Sequence, residues 1–135
     1  ESALRQLGEK IYIDKDAMKD ALLRKGEFNF IDSDLGIKVD FWILQNTAFD
    51  LSRLKRRKKR LILGQLIYFT TPEDLILIKL MWHKNSGSFL QLDDIKSIFK
   101  ISCKKLDIKY LKKWAVQLDV VDVLEDLLKD KKDRA

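Results

Sequence analysis

The chain has 135 residues, of which 27 are Lys or Arg and 21 are Asp or Glu, giving a net charge of +6 with 46% apolar residues. One Pro, five Gly and seven Phe describe a chain that packs a core, which excludes a disordered tail or a low-complexity linker. One cysteine, Cys103, allows no internal disulfide, one histidine, His83, cannot build a His-based zinc site alone, and no apolar run approaches the roughly 20 residues that span a bilayer.

Ala3, Leu4, Leu7 and Ile11 follow helical spacing from the start, so the chain reads as entered partway through a helix, with an upstream segment expected in the natural protein. Asp14 or Asp16 is expected to cap a helix running to about Lys25, with Ala17, Met18, Ala21 and Leu22 as its stripe and Gly26 as its end. Phe28, Phe30, Ile37, Val39, Phe41 and Ile43 alternate with polar neighbours on both sides of Ser33 to Gly36, which predicts a β-hairpin. A Ser33 to Gly36 loop pairs Asp32 with Ile37 and sets Asn29 opposite Asp40.

A helix is expected from about Asp50 or Ser52, carrying the basic run, followed by a strand or two short strands over residues 61–69 that turn at Gly64-Gln65. Thr71 then reads as an N-cap, with Pro72 at the first helical position and Glu73 and Asp74 where the helix dipole favours acids; this helix is expected to reach about His83. Asn85 to Ser88 reads as a loop, and three more helices are expected over 90–99, 108–118 and 120–129, before a frayed, charged tail. The pattern predicts one α+β domain over residues 1–135, with its sheet in residues 1–70 and a helical part in 71–135.

Charge is concentrated. Arg53, Lys55, Arg56, Arg57, Lys58, Lys59 and Arg60 put seven basic side chains into eight positions, and removing them from the 27 leaves 20 basic against 21 acidic. Such a run suits a phosphate-rich partner held by salt-sensitive attraction, and equally a solvated lysine-rich helix face. Asp40 lies within an apolar strand, which it tolerates if exposed beside Lys38 or if it ligates a hard cation such as magnesium. Lys79 is the one charge between Leu75 and Trp82 and must either snorkel outward or face an acidic or phosphate-containing cavity. Asp93 and Asp94 read as caps of the next helix, His83 as structural or exposed, and Cys103 as a small core residue. Gly36, Gly64 and Gly87 are isolated, so no phosphate-binding glycine loop is present.

The strings Glu27-Phe28-Asn29-Phe30-Ile31-Asp32, Gly36-Ile37-Lys38-Val39-Asp40-Phe41, Thr71-Pro72-Glu73-Asp74-Leu75 with Lys79, and Gln91-Leu92-Asp93-Asp94-Ile95 come in an order that resembles the small bacterial and archaeal nucleotidyltransferase-like proteins related to the AbiEii toxin group. That resemblance implies a mixed sheet with flanking helices followed by a helical segment, and magnesium-dependent transfer of a nucleoside monophosphate from a nucleoside triphosphate to an RNA, protein or small-molecule acceptor. It implies Asp40 as a metal-binding carboxylate, Lys79 as the lysine meeting nucleotide phosphates and Asp94 as the acid of the following helix. Partners implied are a nucleoside triphosphate, an RNA or transfer RNA, and a cognate antitoxin or a second copy of the chain; apart from the resemblance, a chain read without a signal peptide or a spanning run is expected in a reducing cytoplasm. The family's Gly-Ser and Asp-x-Asp motifs have no counterpart here: Asp14-Lys15-Asp16 has the letters but stands at a helix start. The alternative is a non-catalytic module that binds nucleic acid or an acidic protein through residues 53–60.

Overall fold

The structure is a computed structural model that describes residues 11–102 and 105–133. The chain adopts an α+β fold of two compact units, residues 1–50 and 51–135. The helical stripe expected over residues 3–11, like Cys103, lies outside the described residues except for Ile11, which opens a strand.

In the first unit β1 (Ile11–Ile13) leads into α1 (Lys15–Arg24), then β2 (Glu27–Asp32) and β3 (Ile37–Trp42), and the strands form one antiparallel sheet in the order β1-β2-β3. Asp14 caps α1 by accepting from the amides of Asp16 and Ala17 at 2.9 and 3.0 Å, and only Met18 and Ala21 of the expected stripe are buried. The helix ends one residue earlier than Gly26 suggests. Lys25 takes the left-handed conformation (φ 54°), while the Gly26 carbonyl accepts from the Ile43 amide and so already belongs to the sheet. The β2–β3 hairpin has the expected register, Asp32 opposite Ile37 and Asn29 opposite Asp40. Asp32 closes its turn by accepting from the amides of Asp34 and Leu35, both at 3.0 Å, and Gly36 supplies the left-handed residue (φ 63°). Phe28 stacks on Phe41 with ring centroids 4.8 Å apart, and Phe30 lies 5.8 Å from Phe41, so the aromatic residues hold one face of the sheet.

The helix α2 (Ala48–Arg56) starts earlier than expected because Thr47 caps it, its hydroxyl accepting from the Asp50 amide at 3.1 Å. It also ends earlier. Only Arg53, Lys55 and Arg56 of the basic run are helical; Lys58, Lys59 and Arg60 belong to β4 (Lys58–Ile62), which pairs antiparallel with β5 (Gln65–Phe69). The turn is at Leu63-Gly64, not Gly64-Gln65, and both residues have positive φ, 48° and 79°.

Four helices complete the second unit: α3 (Pro72–Ser86), α4 (Phe89–Ser102), α5 (Ile108–Gln117) and α6 (Val121–Asp133). α3 is apolar nearly all round and accordingly central, with Ile76, Leu77 and Leu80 buried, and both α4 and α5 pack on it while α6 packs on α5. Ile95 and Phe99 of α4, Leu111 and Trp114 of α5, and Leu124 of α6 fill the remaining core. α3 continues past His83 to a left-handed Gly87 (φ 68°), and the expected frayed tail is instead helical through Asp133. Where the resemblance implies one mixed sheet, the described residues form two antiparallel ones. No helix of the described residues is long and apolar enough to cross a membrane.

The fully exposed Leu63 occupies a left-handed position of a two-residue turn that favours Asn-Gly. Leu63→Asn should stabilise the hairpin by about 1 kcal/mol, seen as a melting temperature raised by a few degrees, whereas Gly64→Ala should lower it.

Candidate nucleic-acid interface

The exposed strand β4, with Arg57 just before it, carries the densest positive charge of the described residues, and its partner β5 carries none. Arg57, Lys58, Lys59 and Arg60 are all exposed, and none forms an ion pair with a described residue. Strand alternation divides them between two faces. Lys58 and Arg60 line an open groove of about 680 Å³, together with Arg56, Lys105, Glu73 and Ile101. On the other face Arg57 lies over the Tyr68 ring, 4.5 Å from its centroid, with the Lys59 ammonium at 5.9 Å. The single basic helix face expected from the sequence is therefore a helix end joined to a two-sided strand.

Arg56 differs from its neighbours. Its guanidinium stacks on Tyr110 at 3.8 Å and reaches Glu73 Oε2 and Asp74 Oδ2, each at 3.5 Å, while its buried Nε has no hydrogen-bond partner. Both acids are in the first turn of α3, and both are buried, Asp74 completely. Buried carboxylates persist only when their oxygens are satisfied, and here each of the four has a partner. Asp74 Oδ1 accepts from the Tyr110 hydroxyl at 2.7 Å; Asp74 Oδ2 accepts from the Thr71 hydroxyl at 2.6 Å and faces Arg56. Glu73 Oε1 accepts from the Asp107 amide at 3.0 Å and Oε2 faces Arg56. Ser52 Oγ lies 3.1 Å from the Tyr110 hydroxyl, tying α2 to the same cluster. Burial, followed by the hydrogen bond to Asp74, pushes the Tyr110 phenol up to about 12.

The Thr71-Pro72-Glu73-Asp74 pattern signals the helix start, and the structure agrees: the Asp74 amide donates to Thr71 Oγ1 at 3.2 Å. What the pattern does not signal is that the two acids are interior and paired with residues distant in the chain. Spacing places Tyr110 only in the apolar stripe of its helix with Leu111, Trp114 and Leu118, and Tyr68 only within a strand, and neither reading signals a polar or stacking role. The basic run passing directly into the apolar run Leu61 to Phe69, broken only at Gly64-Gln65, is the trace that could have marked Tyr68.

Lys79 faces an acid. Its ammonium is 2.6 Å from Asp94 Oδ2 and 3.3 Å from Gln91 Oε1, with the Trp82 ring centroid 5.6 Å away. Asp94 and Asp93 are well inside α4, which begins at Phe89, so neither is a cap; Asp93 pairs with Lys96 at 3.3 Å. His83 Nδ1 is 2.9 Å from the Ser88 carbonyl oxygen, a structural position at the end of α3. Asp40 belongs to the first unit, on the exposed face of β3, 2.9 Å from the Lys38 ammonium and opposite Asn29. A single carboxylate engaged by an ammonium does not by itself fit a magnesium site, and no group of three His, Cys, Asp or Glu side chains able to hold a metal gathers among the described residues.

The cluster yields a stability prediction with a pH signature. Asp74→Ala, which strands Arg56 and Tyr110, should cost about 3 kcal/mol, and Tyr110→Phe about 1 kcal/mol, in denaturant unfolding. Because the folded phenol titrates above its ordinary 10.0, its contribution is complete below pH 10 and is lost as pH rises toward 12. The stability difference between wild type and Tyr110→Phe should therefore shrink between pH 9 and pH 12. A difference constant over that range would remove the phenol proton from the account.

Compared with protein-family models, with curated proteins and with solved structures, the chain has no match in any of the three.

Proposed function

We propose that the chain is a nucleic-acid-binding protein of nucleotidyltransferase type, in which the basic segment holds the phosphate backbone of an RNA. The observation that carries this reading is the row Arg57 to Arg60, four consecutive exposed cations without an ion pair to a described residue. Several cations elsewhere are paired one to one, Lys38 with Asp40, Lys79 with Asp94 and Lys84 with Asp119, whereas no other stretch of the described residues sets four exposed cations in a row. A solvated helix face, the plain alternative, does not describe Lys58, Lys59 and Arg60, which lie on a strand, Lys58 and Arg60 bordering a groove. Attraction of this kind comes from released counterions and requires no base contact. The reading goes with a cytoplasmic address, where RNA and nucleoside triphosphates are found.

Nucleotidyl transfer, with magnesium and a nucleoside triphosphate, is the second reading, and the proximity of Lys79 to Asp94 favours it. Two of the three residues carried by the resemblance are brought together across α3 and α4, in a half-buried position. A free phosphate would compete with Asp94 for the ammonium.

Affinity for RNA should fall steeply with salt. Replacing Lys58, Lys59 and Arg60 together with Gln should reduce the slope of log K against log salt by about 2 for a single strand, as followed by fluorescence anisotropy. An unchanged slope would take the segment out of the interface. For the second reading, melting of the wild type with each nucleoside triphosphate and magnesium should rise, and Lys79→Ala should lose that rise; no rise with any combination would remove it.

A further inference from the structure

The register of β4 and β5 puts Lys59 opposite Tyr68 and Leu61 opposite Leu66, so these four side chains share the face turned away from Lys58 and Arg60. Tyr68 is 52% exposed on that face, with Leu61 and Leu66 exposed beside it. Cation–π contact with Arg57 and Lys59 gains little at an exposed site, and with Leu61 and Leu66 exposed beside it the ring makes an apolar patch that attracting phosphate does not require. The arrangement suits a planar, apolar group that arrives attached to phosphates. Nucleic acid offers such a group only where it is unpaired, because a duplex hides the faces of its bases in the stack and presents backbone outward.

Resting on the nucleic-acid reading above, we propose that the Tyr68 ring is the stacking platform for an unpaired base, so the ligand of this hairpin is single-stranded RNA. The Arg57 guanidinium covers the ring in the free protein, at 4.5 Å from its centroid. When a base takes that position, Arg57 turns to the flanking phosphate, where Lys59 already stands. Leu61 and Leu66 continue the apolar floor under the sugar and base edge. The backbone then passes over the β4 edge to Lys58 and Arg60 on the groove side. Charge complementarity selects the polyanion, and the exposed ring selects its unpaired form.

Anisotropy titrations of the full chain with labelled oligouridylate, with its duplex with oligoadenylate, and with an abasic oligomer of equal length test this. Tyr68→Leu should weaken oligouridylate binding about 5- to 100-fold while leaving the duplex within about twofold, and Tyr68→Phe should retain wild-type binding. The abasic oligomer, which keeps the charge and lacks the base, should bind the wild type more weakly by a similar factor. That comparison needs no variant and holds even if Tyr68→Leu folds poorly. If the abasic oligomer binds the wild type as tightly as oligouridylate, or if a folded Tyr68→Leu binds both strands as the wild type does, stacking on Tyr68 is overturned while salt-dependent binding stands. If the wild type binds none of the three at low salt, the nucleic-acid reading falls and this inference with it.

Discussion

The second unit is organised around one buried carboxylate, Asp74. It takes hydrogen bonds from Thr71 of its own helix start and from Tyr110 of α5, and it faces Arg56, the last residue of α2. A fully buried carboxylate needs such partners for its oxygens, so it fixes three elements at once. Ser52 adds a second link from α2 through the Tyr110 hydroxyl. Because β4 begins at Lys58, two residues after Arg56, the anchoring of Arg56 also decides where the basic segment stops being helix and becomes strand. The charged surface is thus positioned from inside.

That arrangement gives neighbouring basic residues different physical tasks. Arg56 stacks on an aromatic ring and balances two buried acids, a geometry that a planar guanidinium permits and an ammonium does not. The residues from Arg57 to Arg60 face solvent with their charge uncompensated by described residues. The two buried acids outnumber the one guanidinium, and the helix N-terminus, the Asp107 amide and two hydroxyls make up the difference.

Local signals were the legible ones. Alternation around Ser33 to Gly36 was enough to set the β2–β3 pairing to the residue, since a one-residue slip would turn Phe28, Phe30 and Phe41 out of the aromatic face. Thr71-Pro72-Glu73-Asp74 marked the start of α3 for the same reason. The helix expected from about Asp50 or Ser52 carries the basic run, a continuation that the helix propensity of Lys and Arg allows. Pairing with the apolar strand Gln65 to Phe69 overrode that preference, and the gap in apolar positions between Leu54 and Leu61 was its trace. The Asp74 cluster was not legible, because its partners lie 36 residues away at Tyr110 and back in α2, and no short spacing joins them. Asp40 was noticed as an anomaly in an apolar strand, and its exposure beside Lys38 accounts for it locally.

The two-stranded sheet leaves both of its outer edges without a strand neighbour among the described residues, next to exposed Leu61, Ile62, Ile67 and Phe69. Edges of that composition invite pairing between copies, and lysines along them are a common guard against it. On the nucleic-acid reading proposed above, the guard and the ligand-binding charge are the same residues, Lys58, Lys59 and Arg60. On that reading a polyanion that neutralised them would also remove the mutual repulsion of two hairpins, and nucleic-acid occupancy would then promote self-association through one strand.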